Sequence, residues 1–245
     1  MFEYFEKIKK ILNEVEKYEK YNIEKVVNEI IKAIKLKKSI YIFGASHAGI
    51  LTQEMFYRAG GLMLINPIFS EEISLNVNPI THTSKMERLK GYGILIGERY
   101  NFKKGDILIL HSVSGRNNVT IELAKYAKDK GLFTIGITNL KYSKKVQSRD
   151  SDGKKLYQIV DMVIDNHGEL GDACLKIERI EQKVSPTSTV IGASIMNEIV
   201  YRVSQKIVEE GNNNPPIFYS ANIDDGDIQN KKLYDIYKDL IHYKF

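Results

Sequence analysis

The run Asp106-Ile-Leu-Ile-Leu-His-Ser-Val-Ser-Gly-Arg-Asn-Asn118 constrains this chain more than any other stretch. Ile107 to Leu110 are apolar without alternation, which predicts a central strand of a parallel sheet covered on both faces. Parallel strands need crossover helices, so the chain must supply further strand-turn-helix units. Ser39 to Phe43 predicts a first strand, and Gly44-Ala-Ser-His47 turns it into a helix running to about Arg58, closed by Gly60-Gly61. Leu62 to Ile65 predicts a second strand, Phe133 to Thr138 a fourth and Met162 to Ile164 a fifth; Val119 to Asp129 has helical composition. The spacing fits right-handed crossovers, hence an α/β fold.

Flanking this repeat, the first 35 residues read as two amphipathic helices. Phe2, Phe5, Ile8, Ile11, Leu12 and Val15 form one stripe; after the capping candidate Asn22, Val26, Val27, Ile30, Ile31 and Ile34 form a second. Pro67 to Arg99 reads as a polar loop through Thr83, then short helical pieces around Met86 and Ile94. Lys141 to Lys155 reads as an exposed loop or flap, and Ser185-Pro-Thr-Ser-Thr189 caps a long helix through Glu209. We therefore expect one domain over residues 1–210. Beyond Gly211-Asn-Asn-Asn-Pro-Pro216, a tail over 211–245 carries a short helix near Leu233 and packs on the domain or on a neighbouring subunit.

The N-terminus lacks the apolar core of a secretion signal, and no apolar run approaches about 20 residues, so the expectation is a cytoplasmic protein outside the membrane. Cys174 alone permits neither an internal disulfide nor a multi-cysteine metal site. A formal net charge of +5 raises nucleic acid as a partner, but the lysines are interleaved with glutamates and no helix-turn-helix is evident. The mild positive balance suits a small anionic ligand instead.

Ser112, Ser114 and Asn117 crowd polar groups into the turn after the third strand, where a plain helix cap needs one. Gly115 lets the backbone approach a ligand, and the N–H groups of the following helix face the turn, an arrangement that holds phosphate. Gly44 to His47 is a second such turn and Ser185 to Thr189 a third polar cluster; in open α/β sheets ligands sit at this strand edge. Neither GxxxxGK[ST] nor GxGxxG occurs, which disfavours ATP and NAD.

In these motifs the chain resembles the sugar isomerase (SIS) domain family from roughly Ile30 to Glu209, chiefly through Ser112-x-Ser114-Gly115 after a strand and Gly44-Ala-Ser46 after another. Phe56-Tyr-Arg-Ala-Gly-Gly61, Asp165-Asn-His167, Pro186-Thr-Ser-Thr189 and Ser220-Ala-Asn222 are similar to stand-alone, UPF0309-like bacterial members. The resemblance implies a three-layer αβα sandwich with a five-stranded parallel sheet in flavodoxin-like order. It also implies a homodimer or homotetramer and a sugar-phosphate ligand held by Ser46, Ser112, Ser114 and Asn117, with Ser188 or Thr189 nearby.

Catalysis has to be argued from acids and bases. Glu54, two turns beyond Ser46, is the first candidate base for moving a proton beside a carbonyl; it equally suits an i,i+4 pair with Arg58. His47 follows Ser46, and His167 and Glu169 follow the fifth strand at the ligand edge. His111 reads as core, and Arg116 as either a charged donor or a solvated side chain. No metal or organic cofactor is expected: Asp224-Asp-Gly-Asp227 lacks calcium-loop spacing, and His167 with Asp172 falls short of a zinc set. The leading expectation is an aldose–ketose type isomerase acting on a sugar phosphate. A non-catalytic phosphosugar sensor and a sugar-phosphate lyase or etherase are the alternatives.

Overall fold

The structure, a computed structural model, describes residues 2–245. At its centre β1 (Ile40–Gly44), β2 (Ile65–Pro67), β3 (Ile107–His111), β4 (Phe133–Thr138) and β5 (Met162–Asp165) form one parallel sheet in the order β2-β1-β3-β4-β5. Alternate residues of each strand feed two apolar layers. Ile107 and Ile109 pack with Ile40, Ile42, Ile135 and Ile137 on one face, while Leu108 and Leu110 pack with Tyr41 and Phe43 on the other. This double burial is the physical reason the third strand carries no polar alternation.

The first layer holds α1 (Glu3–Lys35) and α2 (Gly49–Glu54). The segment between β2 and β3 contributes α3 (Thr81–Met86) and α4 (Tyr92–Glu98). With α4, the opposite layer holds α5 (Asn118–Asp129), α6 (Leu140–Lys145) follows β4, and α7 (Leu156–Ile159) completes that layer. An antiparallel hairpin of β6 (Ala173–Lys176) and β7 (Lys183–Pro186) then leads into α8 (Ser188–Glu209), which packs beside α1. Sequence periodicity had not predicted this hairpin, whose strands are only four residues each.

Residues 3–35 form one helix of 33 residues, not the predicted pair. Asn22 does not cap a second helix; its side-chain amide donates to Glu19 at 2.8 Å within the continuous α1. With neither Gly nor Pro in the segment, nothing forces a break, and propagation is cheaper than a second nucleation. The interruption in the apolar stripe is Glu19, which is itself buried in line with Ile11, Val15 and Ile23. Phe2 and Phe5, expected on the apolar face, are exposed.

Smaller shifts follow the same logic. The helix after β1 ends at Glu54 rather than near Arg58, and β2 begins at Ile65 because Leu62 pairs instead with Ile217. The segment after residue 211 forms α9 (Gly226–Tyr237), and Phe218, Leu233, Leu240 and Ile241 enter the core beside β2. There Asn66 donates to the carbonyl of Leu240 and accepts from the backbone of His242, while Tyr243 donates to Met63.

Adjacent strands β1 and β3 send their connections to opposite layers, α2 to one and α5 to the other. Their C-terminal ends therefore part to leave a crevice, the place where ligands enter open α/β sheets.

Candidate functional site

The turn after β3 is shaped by where its carbonyls go. Val113 accepts from the backbone of Asn139, Gly115 from Leu156, Arg116 from Arg149 and Asn117 from Ile121. Each peptide plane is thereby fixed with its oxygen turned into protein. Gly115 takes φ of +57°, which the reversal requires and which costs glycine little. Among the described residues, the N–H groups of Ser114, Gly115, Arg116 and Asn117 donate to no protein acceptor. The Ser112 and Ser114 hydroxyls are likewise unpartnered, at the N-terminal end of a 12-residue helix whose dipole favours an anion.

His111, wholly buried, ties this turn to the first one. Its Nδ1 lies 3.1 Å from the carbonyl of Ala48 and donates to it, so the imidazole braces both edges of the crevice. Burial pushes its pKa below the ordinary histidine value, keeping the ring neutral. On the β1 side Ser46 holds φ of +53° and shares a 2.8 Å hydrogen bond with buried Thr83. A cleft of about 190 Å³ opens beside it, lined by Gly44, Ser46, Gln53, Ser70, Ser74 and Asn76 among others.

Glu87, one residue beyond α3, projects into the same region. Asn117 donates to its carboxylate at 2.7 Å, and Ser46 lies beside it. Burial raises its pKa, only partly offset by Ser46 and by the charges of Arg149 and Arg88. A carboxylate so placed exchanges protons more readily near neutral pH than an exposed one. Sequence reasoning missed it, because Lys85-Met-Glu-Arg88 has the composition of any surface helix; the fold alone carries it to the crevice.

The predicted residues separate into groups. Ser112, Ser114 and Gly115 form the cradle. Asn117 lies there too, but its side chain bridges Glu87 and Arg149. Ser46 stands across the crevice with exposed His47 beside it. Ser188 is engaged elsewhere: Asp172 accepts from its hydroxyl at 2.6 Å and from the backbone N–H groups of Thr187 and Ser188, capping α8, while Thr189 stays half-buried. Glu54 pairs with Arg58 at the surface of α2, the simpler of its two expected roles.

His167 lies after β5, two strands from β3 in the sheet order, with Nε2 3.1 Å from the buried Glu19 and its ring stacked on Tyr18. Glu169 accepts from Lys7 at 2.5 Å, which holds its carboxyl below the usual range. Both therefore anchor α1 to the β5 edge. Among the described residues, no three His, Cys, Asp or Glu side chains gather where they could hold a metal ion.

The profile described as the SIS domain matches residues 3–139, more than half of the sequence and including both turns. The chain belongs to the SIS domain family. It is 48% identical to a UPF0309 protein of Shouchella clausii over 98% of both chains, and 49% identical to one of Oceanobacillus iheyensis over 99% of this chain and 98% of that one. Among solved structures, a phosphoheptose isomerase from Francisella tularensis aligns over 83% of this chain and 95% of its own, with a TM-score of 0.53 and 13% identity. The Vibrio vulnificus NanR protein complexed with ManNAc-6P aligns over 98% of this chain and 69% of its own, with a TM-score of 0.50 and 12% identity. At such identities these two similarities show a shared SIS fold. No helix among the described residues is long and apolar enough to cross a membrane.

Proposed function

We propose that this SIS protein binds a sugar phosphate across the β1–β3 crevice and moves a proton along its carbon chain, an aldose–ketose type of isomerisation. The observation that carries the reading is the set of four N–H groups at Ser114 to Asn117 without protein acceptors, flanked by two unpartnered serine hydroxyls. That is a cradle for a tetrahedral anion. The sugar then extends toward Ser46 and the cleft beside it, with Thr189 near the opening of α8. Known SIS-fold proteins point the same way: one structural neighbour is a phosphoheptose isomerase and another is complexed with a phosphosugar.

Within this frame Glu87 replaces Glu54 as base. Glu87 is half-buried with its pKa raised, whereas Glu54 is tied to Arg58. Glu87 takes a proton from the carbon beside the carbonyl, an enediol forms, and the proton returns to the neighbouring carbon. His47, on the facing turn, is the acid partner; His167 would act only on a group reaching the β5 edge. This transfer needs neither metal nor organic cofactor. We place the activity in the cytoplasm, in a homodimer or homotetramer.

Sugar monophosphates should raise the melting temperature in a concentration-dependent way. Ser114→Ala, which removes one donor, should weaken their binding by roughly tenfold. No stabilisation by any sugar phosphate would remove the reading, and unchanged affinity in Ser114→Ala would move the phosphate off this turn. A second reading, binding without turnover, is favoured by the hydrogen bonds that tie Glu87 to protein groups; it predicts full binding and no product.

A further inference from the structure

The proton-transfer reading leaves three arginines at the cradle without a role. Arg88 follows Glu87, Arg116 lies within the anion-binding turn, and Arg149 reaches in from the loop between α6 and α7. The backbone of Arg149 donates to the carbonyl of Arg116 at 3.0 Å, and its guanidinium donates to Asn117. Asn118 donates to the carbonyl of Arg88 at 2.8 Å, which brings Arg88 to the same turn; burial and then the positive charges of Arg116 and Arg88, only partly offset by Glu87, push the Arg149 pKa below the ordinary arginine value.

Their counter-charges are too few. Among the described residues, the arginines that close ion pairs within 4.0 Å are Arg58 and Arg202. Asp150 and Asp152, next to Arg149 in sequence, both engage Lys125, at 2.8 and 2.6 Å. Glu87 faces them as a single carboxylate against three guanidinium groups, which leaves the rim positive. The Nε of Arg116 is buried and, among the described residues, has no hydrogen-bond partner. A buried donor left open and three like charges on one rim are both costly in the free protein, and an anion seated there relieves both. The phosphate already has neutral donors in the turn.

Building on the sugar-phosphate reading, we infer that the ligand carries a second anionic group, a carboxylate or a second phosphate, seated among Arg88, Arg116 and Arg149. Guanidinium forks match both groups in geometry and charge. The ligand is then a phosphorylated sugar acid or a sugar bisphosphate rather than a simple hexose phosphate.

Isothermal titration of the full chain with matched probes tests this: glucose 6-phosphate against 6-phosphogluconate, and fructose 6-phosphate against fructose 1,6-bisphosphate. At least one doubly anionic probe should bind roughly tenfold or more tightly than its partner, and Arg149→Gln should erase that advantage while leaving the monophosphate nearly unchanged. The carboxylate and bisphosphate arms identify which group is recognised. Equal affinity within both pairs overturns the inference and leaves the sugar-phosphate reading standing, as does an equal loss for all probes in Arg149→Gln, which would assign the arginines to the phosphate itself. Binding of no probe overturns both. Arg88→Gln, at an exposed position, repeats the comparison if Arg149→Gln does not fold.

Discussion

Glu87→Gln should lower turnover of the true substrate by about 10²–10⁴-fold while leaving its binding nearly intact. Gln keeps the size and retains an oxygen that can accept from Asn117, so the crevice keeps its shape, but it cannot take a proton. Because burial raises the Glu87 pKa above the ordinary carboxylate value, wild-type activity should fall as pH drops through that raised value. The sign on stability is opposite. A carboxylate with a raised folded pKa costs stability once the unfolded chain has ionised, so Glu87→Gln should be at least as stable as wild type at neutral pH. Side-by-side steady-state rates and thermal melts check all three statements, and wild-type turnover in Glu87→Gln would remove this carboxylate from the mechanism.

Gly44→Ala should damage fold and site together. A Cβ at this position would lie 2.2 Å from the carbonyl oxygen of Ala48 and 2.9 Å from the backbone nitrogen of Gly49. Both obstacles are main chain, so no rotamer relieves them. Moving the turn also moves Ser46 and strips His111 of its hydrogen bond to Ala48. We expect a loss of about 3 kcal/mol and a melting temperature lower by roughly 6–12 °C, with phosphosugar binding reduced as well. A wild-type melting temperature would show that the turn after β1 opens more freely than its packing indicates.

The sheet was legible in the sequence because its strands are buried on both faces and so stand out as unbroken apolar runs, Ile107 to Leu110 above all. The serine-rich turn was legible for a related reason: three polar side chains exceed what one cap requires. What stayed hidden depends on partners distant in sequence. Glu19 looked like a gap between two helices because its partner, His167, lies 148 residues away. Ser188 looked like a cap and a ligand contact, but Asp172 from the preceding loop supplies the cap and engages its hydroxyl. Glu87 had no local mark at all; a carboxylate becomes a candidate base only when folding surrounds it with protein. Asn117 was placed correctly in the turn, yet its side-chain partners Glu87 and Arg149 come from either side of it in the chain.

In the proposed function the turn from Ser112 to Asn118 receives the phosphate of a sugar. A crystal structure of the protein soaked with a sugar phosphate tests it most directly. Phosphate oxygens should lie about 3 Å from the N–H groups of Ser114 to Asn117 and from the Ser112 and Ser114 hydroxyls, with the sugar directed toward Glu87 and Ser46. A phosphate seated at the β5 edge beside His167, or the four N–H groups left free in a liganded crystal, would contradict it.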